Sequence, residues 1–427
     1  MRIDPAAAIR GDIAVPGDKS ISHRALLLGA IADGVSEIEG FGASKDTLST
    51  AAAVRALGAG VEVDGDRVRI EGVGLRGLME PGGPLDCGNA GTLMRLLPGI
   101  LAGHEGRFEL VGDESLSTRP MERIAEPLRA MGARVETDDG HAPVVVEGGA
   151  LGPVRWELPV ASAQVKSAIL LAGLYAEGGP TVVVEPSPTR DHTERMLEAM
   201  GVRVQRKAGE PGVLPANGLR PLHTSVPGDF SSAAPFLVAA TLLAESELRL
   251  HGVGMNPTRT GFLAVLGRMG ARIAVFNRRV VGGEPVAELQ VEPAELVATE
   301  VRPEEVPTLV DELPLFALAA GMAHGDSVVT GAEELRVKES DRVESVKDAL
   351  RPLGVHIETR QDGFRVRGVP SRPKGGGVVE AAGDHRIAML GAVAGLVSRE
   401  GVELRGAETV AVSFPDFFAM LDSLALR

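Results

Sequence analysis

The sequence predicts an α/β fold in two similar halves, each made of three copies of one strand-and-helix unit. Three observations carry this. At 427 residues the chain exceeds what one hydrophobic core supports, since domains typically hold roughly 100–200 residues. The string Val15-Pro16-Gly17-Asp18-Lys19-Ser20 returns half a chain later as Val226-Pro227-Gly228-Asp229-Phe230-Ser231. A polar Gly/Asp/Ser loop followed by an Ala/Leu/Gly-rich helix begins near Gly17, Gly88, Ala161, Gly228, Val310 and Gly383, a recurrence of roughly seventy residues.

In the first unit Ile21, Ala25, Leu28 and Ala32 share one helix face. A second helix follows in each unit, and five of these end alike: Ala56-Leu57-Gly58-Ala59, Ala130-Met131-Gly132-Ala133, Ala199-Met200-Gly201-Val202, Arg268-Met269-Gly270-Ala271 and Pro352-Leu353-Gly354-Val355. Glycine just past a helix supplies the left-handed cap, and the alternation after it, as in Val202-Arg203-Val204, reads as a strand. The unit therefore runs strand, loop, apolar helix, strand, second helix, strand. Pro235 and Pro314 are expected in the first turns of their helices, where a missing N–H costs little. Pro98 falls inside the helix that starts near Asn89 and is expected to kink or end it.

Composition narrows the function. The chain is 44% hydrophobic and 24% charged, a globular balance, and its net charge of −14 argues against a broad nucleic-acid surface. No apolar run reaches the ~18 residues of a membrane span, and Met1 to Ala6 opens no signal segment, so a cytoplasmic protein is expected. The single cysteine, Cys87, excludes an internal disulfide and a Cys-rich metal site; it reads as a small buried hydrophobe. With no His-Glu-x-x-His run, no metal and no cofactor are expected. Gly72-Val73-Gly74-Leu75-Arg76-Gly77 matches a dinucleotide-binding pattern literally, but Met79-Glu80-Pro81-Gly82-Gly83 follows where a helix is required, so it reads as a loop.

An acidic protein that binds small anions needs local clusters of cations. Lys19 and Arg24 flank Ser20, Ser22 and His23 at the first helix start, where free N–H groups already favour negative charge. Cys87-Gly88-Asn89-Ala90-Gly91-Thr92 is a second loop whose small residues let backbone approach a ligand. Lys45, Arg119, Arg190, Arg259 and Arg342 recur at the starts of second helices, where the dipole disfavours cations unless an anion compensates. Lys45 and Arg259 read as structural pairs. Arg119, Arg190 and Arg342, flanked by denser polar motifs, read as substrate contacts. The second half adds acids: Asp311 and Glu312 open the fifth apolar helix, and Arg336-Val337-Lys338-Glu339-Ser340-Asp341-Arg342 packs charges close enough to interact. Gly383-Asp384-His385-Arg386 completes the set.

These strings, with Arg119-Pro120-Met121, Ser162-Ala163-Gln164-Val165-Lys166-Ser167 and Thr189-Arg190-Asp191-His192-Thr193, occur in the order found in the enolpyruvyl transferases. Over essentially its whole length the chain resembles that family, and within it the branch that acts on shikimate 3-phosphate. The resemblance implies an inside-out α/β barrel-like architecture: two similar lobes of three βαβαββ units, with helix N-termini converging on the interdomain cleft. Residues 14–225 would form one lobe, and 1–13 with 226–427 the other. The implied reaction transfers the enolpyruvyl group of phosphoenolpyruvate to the 5-hydroxyl of shikimate 3-phosphate, releasing phosphate through a tetrahedral ketal, on the way to chorismate and the aromatic amino acids. By the same resemblance Lys19, Ser20, Arg24, Ser162, Ala163, Gln164, Arg190, Asp311 and Lys338 would hold shikimate 3-phosphate. Lys19, Asn89, Gly91, Thr92, Arg119, Gln164, Arg342, His385 and Arg386 would hold phosphoenolpyruvate, and Gly91 would leave room for glyphosate. Asp311, Glu339 and Lys19 would be catalytic. The enzyme is expected to be a monomer with these two small-molecule partners and no nucleic acid or membrane.

Two departures from the pattern stand out. Ala411-Val412-Ser413-Phe414 lacks a lysine that some members place before the Phe-Pro-Asp string, and Glu334 replaces an asparagine. The sister branch acting on UDP-N-acetylglucosamine carries a catalytic cysteine where this chain has Glu114. A repeat protein that only binds partners would explain six units, but not cations and acids at the same edge of each.

Overall fold

The computed structural model describes residues 1–427, which divide by their contacts into two compact units. The first lobe comprises Gly17–Pro227 with Val280–Glu284; the second comprises Met1–Pro16, Gly228–Arg279 and Pro285–Arg427. Each has its own apolar core. No helix is long and apolar enough to cross a membrane.

The first lobe holds three four-stranded sheets of one topology. In the first, His223–Ser225 pairs parallel with Val35–Glu39, which pairs antiparallel with Arg67–Glu71, which pairs antiparallel with Gly60–Asp64. The strands led by Leu85–Asp86 and by Arg155–Glu157 repeat that order. In the second lobe Glu300–Val301 leads a fourth sheet of the same kind. Ala8–Ile13 leads a fifth, parallel to Glu247–Gly254, and Ala425–Leu426 extends it on the far side to five strands. Val378–Glu380, Val402–Arg405 and Arg2–Ile3 make a three-stranded sixth. The six sheets are separate, and no strand order closes on itself.

Each lobe holds three apolar helices: Lys19–Ala30, Gly91–Leu101 and Ala163–Gly173 in the first, and Phe230–Leu242, Leu313–Gly321 and His385–Val397 in the second. Nearly every residue beyond their first turns is buried, as expected for helices that are hydrophobic all round. Asp18, Ser162, Asp229 and Asp384 cap four of them by accepting a backbone N–H with the side chain. The second helices end as the sequence predicts: Gly58, Gly132, Gly201, Gly270 and Gly354 all have φ between 91° and 111°.

The prolines meet expectation only in part. Pro314 is in the first turn of its helix, but Pro235 is the sixth residue of Phe230–Leu242, in the second turn. The helix containing Pro98 runs through it and ends three residues later at Leu101. A second-turn proline deprives the carbonyl four residues earlier of its helical donor, which becomes important below.

Helix Gly91–Leu101 packs on helix Ala163–Gly173 at backbone distance. A Cβ on Gly99 would lie 2.2 Å from the Ala168 carbonyl oxygen. Alanine improves helix propensity by up to about 1 kcal/mol over glycine, yet overpacking costs about 1–3 kcal/mol. Gly99→Ala is therefore expected to lower the urea midpoint of the first lobe, and a raised midpoint would contradict this helix contact.

Candidate active site

In the first lobe the predicted residues gather at the starts of its three apolar helices. Lys19 is the first residue of its helix and its Nζ lies 2.8 Å from Asp46 Oδ2. Ser20 is partly exposed beside it, and its carbonyl accepts from Arg24 Nη1 at 2.9 Å. Arg24 is buried. Its Nε donates to Thr193 Oγ1 at 2.7 Å and its Nη2 to Ser167 Oγ at 2.9 Å, and those two hydroxyls are 2.7 Å apart. Burial pulls its pKa down to about 10 against the opposing pull of Glu194 and Asp18, and partly exposed Arg190 lowers it further. The guanidinium stays charged at neutral pH. His23, buried against Thr50 Oγ1 at 2.7 Å, is pushed well below its ordinary value by burial, Lys19 and Arg24, and so is neutral.

Lys166 is 1% exposed, with Nζ 2.8 Å from Glu194 and 3.3 Å from Glu185. It also donates to the Thr189 carbonyl at 3.3 Å, tying the Thr189-Arg190 loop to the third helix. The next residues, Asp191 and His192, bring potential ligand atoms within 4.8 Å of those of Glu284. Arg195 Nε already donates to Asp191 at 2.9 Å and Arg206 Nη1 lies 3.3 Å from its other oxygen, so guanidinium groups balance that charge.

The second loop aims Asn89 and Arg119 at each other. Arg119 Nη2 donates to Asn89 Oδ1 at 2.6 Å and to Ser115 Oγ at 3.2 Å, while Asn89 Nδ2 donates to both Asp113 oxygens. Gln164 accepts from Arg95 Nη1 at 2.8 Å and donates to Thr92 Oγ1 at 3.1 Å. Ser162 caps the third helix, and Ala163 is its first residue. A Cβ on Gly91 would stand 3.1 Å from both Arg119 Nη1 and Arg95 Nη1, so glycine gives two guanidinium groups room at one helix start. Cys87 is fully buried, and burial pushes its thiol up, away from any nucleophilic role.

The second lobe gathers carboxylates around one cation. Arg342 is 1% exposed. Its Nε and Nη2 donate to the two Asp384 oxygens at 2.7 and 3.2 Å, Nη2 donates to Glu339 Oε2 at 2.7 Å, and Nη1 to Asp311 Oδ1 at 3.1 Å. Burial acts against this charge, yet Asp384, Glu339 and Asp311 together hold the guanidinium above its ordinary pKa. Asp311 Oδ2 also lies 3.7 Å from Arg259 Nη1. Lys338, 3.5 Å from Glu334, is pulled below its ordinary value by burial, opposed by Glu334 and Asp311. His385 is buried next to Asp384, and Arg386 donates to the Ser231 carbonyl at 3.1 Å.

The recurring cations are not all where the dipole argument puts them. Lys45 and Arg342 are first residues of their helices, but Arg119, Arg190 and Arg259 precede helices that begin at Glu122, His192 and Gly261. Held in the loops, they avoid the unfavourable dipole end. Lys45 is exposed instead of paired, while Arg259 pairs with Asp229 at 2.9 Å as expected. Sequence reasoning missed Arg95, Asp46, Ser167, Thr193 and Asp384 as partners. Ser167, Thr193 and Asp384 stand inside the quoted strings, and Arg95 carried a signal of its own, lying one turn after Gly91 on the same helix face.

Comparison with known proteins finds relatives that match nearly the whole chain. A family model for EPSP synthase (3-phosphoshikimate 1-carboxyvinyltransferase) matches residues 3–421. The 3-phosphoshikimate 1-carboxyvinyltransferase of Acidithiobacillus ferrooxidans is 50% identical over 425 residues, covering 99% of this chain and 97% of that one. The enzyme of the same name from Methylococcus capsulatus is 48% identical over 427 residues, covering 99% and 96%. The solved EPSP synthase of Acinetobacter baumannii superposes with a TM-score of 0.88 at 43% identity, covering 100% of this chain and 98% of the other. With a matching model over nearly its full length and relatives at half identity, the chain belongs to the EPSP synthase family.

Proposed function

We propose that the protein transfers the enolpyruvyl group of phosphoenolpyruvate to the 5-hydroxyl of shikimate 3-phosphate and releases phosphate. The observation that carries the chemistry is the pair of carboxylates, Asp311 and Glu339, held by the single guanidinium of Arg342 beside Lys338. The reaction needs two matched proton transfers. The 5-hydroxyl oxygen bonds to C2 of phosphoenolpyruvate and gives up its proton, while the methylene carbon takes one, forming a tetrahedral ketal. The bond from C2 to the phosphate oxygen then breaks, phosphate departs with its bridging oxygen, and the methyl group returns a proton to restore the double bond. Asp311 serves the hydroxyl proton and Glu339 the methylene carbon; general acid–base partners of this kind contribute about 10²–10⁴-fold.

The remaining residues position two anions. Ser20, Arg24, Ser162, Ala163, Gln164 and Arg190 hold shikimate 3-phosphate. Asn89, Gly91, Thr92, Arg119, Arg342, His385 and Arg386 hold phosphoenolpyruvate, and Lys19 and Lys338 serve where both ligands react. Preorganised guanidinium groups favour this use, because their bonds to Thr193, Ser167, Asn89 and Ser115 fix them before substrate arrives. An enzyme with two small-molecule substrates, working as a cytoplasmic monomer, fits the net charge of −14 better than a nucleic-acid partner does.

The reaction itself is tested with phosphoenolpyruvate carrying ¹⁸O at the bridge. Incubation with enzyme and shikimate 3-phosphate is expected to deliver the label to inorganic phosphate and the carbon skeleton to the sugar; label retained on carbon defeats the proposal. Arg119→Ala is expected to raise KM for phosphoenolpyruvate at least about tenfold and leave shikimate 3-phosphate nearly unaffected, since truncating a desolvated charged contact costs on the order of 2–5 kcal/mol. Equal losses for both substrates would reassign Arg119 to the scaffold.

The third expectation concerns pH. A lysine that must be charged stops working as pH rises through its folded pKa, and burial brings that point for Lys338 below the ordinary lysine range. The alkaline limb of kcat/KM should therefore fall below the ordinary lysine pKa and move to higher pH in Lys338→Arg. A limb that stays in place in that variant assigns it to another group.

A further inference from the structure

The fourth apolar helix opens with the same Val-Pro-Gly-Asp loop as the first, yet it carries Phe230 where the first carries Lys19. Its start is filled by the protein's own side chains. Asp229 Oδ1 accepts from Ser231 N at 2.8 Å and from Arg259 Nη2 at 2.9 Å. Arg259 Nη2 also donates to Ser231 Oγ at 3.0 Å, and that hydroxyl donates in turn to Glu312 Oε1. Ser231 therefore spends its hydroxyl proton on one buried neighbour and a lone pair on another.

Its carbonyl is committed differently. Pro235 stands four residues later and has no N–H, so the Ser231 carbonyl lacks its helical donor. Arg386 Nη1 takes that place at 3.1 Å. Glu312, 1% exposed, accepts from Ser231 through Oε1, and its Oε2 has no hydrogen-bond partner. Burial holds its carboxyl above the ordinary range, opposed by Arg259 and Arg386 and supported by Asp311. No step of the proposed reaction uses it.

We infer that Glu312 is a positioning residue for phosphoenolpyruvate: by anchoring the Ser231 hydroxyl it fixes the Ser231 carbonyl, and that carbonyl aims the Arg386 guanidinium. The inference rests on the reading that Arg386 contacts phosphoenolpyruvate. A guanidinium already held in place loses less freedom on binding than a free one, so loosening its seat weakens that substrate alone.

The test compares full-length Glu312→Ala, Glu312→Gln, Ser231→Ala and Arg386→Ala by steady-state kinetics for each substrate, with thermal unfolding as a check on folding. Glu312→Ala is expected to raise KM for phosphoenolpyruvate about tenfold, the scale of one hydrogen bond that serves a charged group, with KM for shikimate 3-phosphate within about twofold. Glu312→Gln keeps the oxygen that accepts from Ser231 and is expected within about threefold of the parent on both. In the Arg386→Ala background, Glu312→Ala should add nothing to the phosphoenolpyruvate KM, because the two act along one path. Losses that fall equally on both substrates, or a full further loss in the double variant, overturn the inference. Where Glu312→Ala fails to fold, Ser231→Ala decides: an unchanged phosphoenolpyruvate KM rejects the path. If Arg386→Ala itself leaves that KM unchanged, the substrate reading of Arg386 has failed. If Arg386→Ala raises it and neither Glu312→Ala nor Ser231→Ala does, only the role of Glu312 falls.

Discussion

Three carboxylates, from Asp311, Glu339 and Asp384, converge on the buried guanidinium of Arg342. Burying so much charge is unfavourable unless each ion is paired and hydrogen-bonded, and breaking one buried pair commonly costs about 3–5 kcal/mol. Those three residues lie at the start of the fifth helix, in the loop before Arg342 and at the cap of the sixth helix. One guanidinium thus sets the register of three chain segments. It also explains why the acids are rigid: Asp384 is bound through both oxygens, and Asp311 and Glu339 each take a separate Nη group. Lysine in that place could not offer the same planar fork.

The first lobe solves a similar problem with hydroxyls. Arg24 is as buried as Arg342 in practice, but Thr193, Ser167 and the Ser20 carbonyl receive its protons and no carboxylate bonds to it directly. That difference sets the chemistry available to each lobe. A guanidinium solvated by neutral groups keeps its positive field for a ligand, whereas one ringed by carboxylates shares its field with them. Lys166 supplies the contrast within the same lobe, since Glu185 and Glu194 neutralise it and it serves to tie down a loop.

How far this was legible in the sequence follows from the range of each interaction. The capping glycines, the apolar helices and the strings around Lys19, Arg119 and Arg342 are local, and a few neighbouring residues dictate their conformation. The recurring Val-Pro-Gly-Asp loop pointed to repetition because both copies need the same turn and the same Asp cap. What could not be read is pairing across distance. Gln164 meets Arg95, and Ser231 meets Glu312, through contacts that depend on how whole helices pack. Pro235 misled for a related reason. A first-turn assignment requires a helix that begins only a few residues before the proline, and the Asp229 cap starts it earlier than that, at Phe230, leaving the proline in the second turn.

That placement of Pro235 shows how a repeated unit can acquire a new use without changing its backbone. In the first copy of the loop the helix start carries Lys19 and Ser20, both partly open to solvent, while in the fourth copy Phe230 and Ser231 are buried. Replacing a lysine by phenylalanine moves apolar surface into the core, at roughly 25 cal/mol per Å² removed from water, and it takes away the local cation. A buried serine then needs partners of its own, and Glu312 and Arg259 meet that need. The missing proline N–H leaves a carbonyl that can accept from outside the helix, and Arg386 is the group that reaches it. The same turn thus exposes a cation in one lobe and seats one in the other, and the choice rests on what fills the position after the capping aspartate.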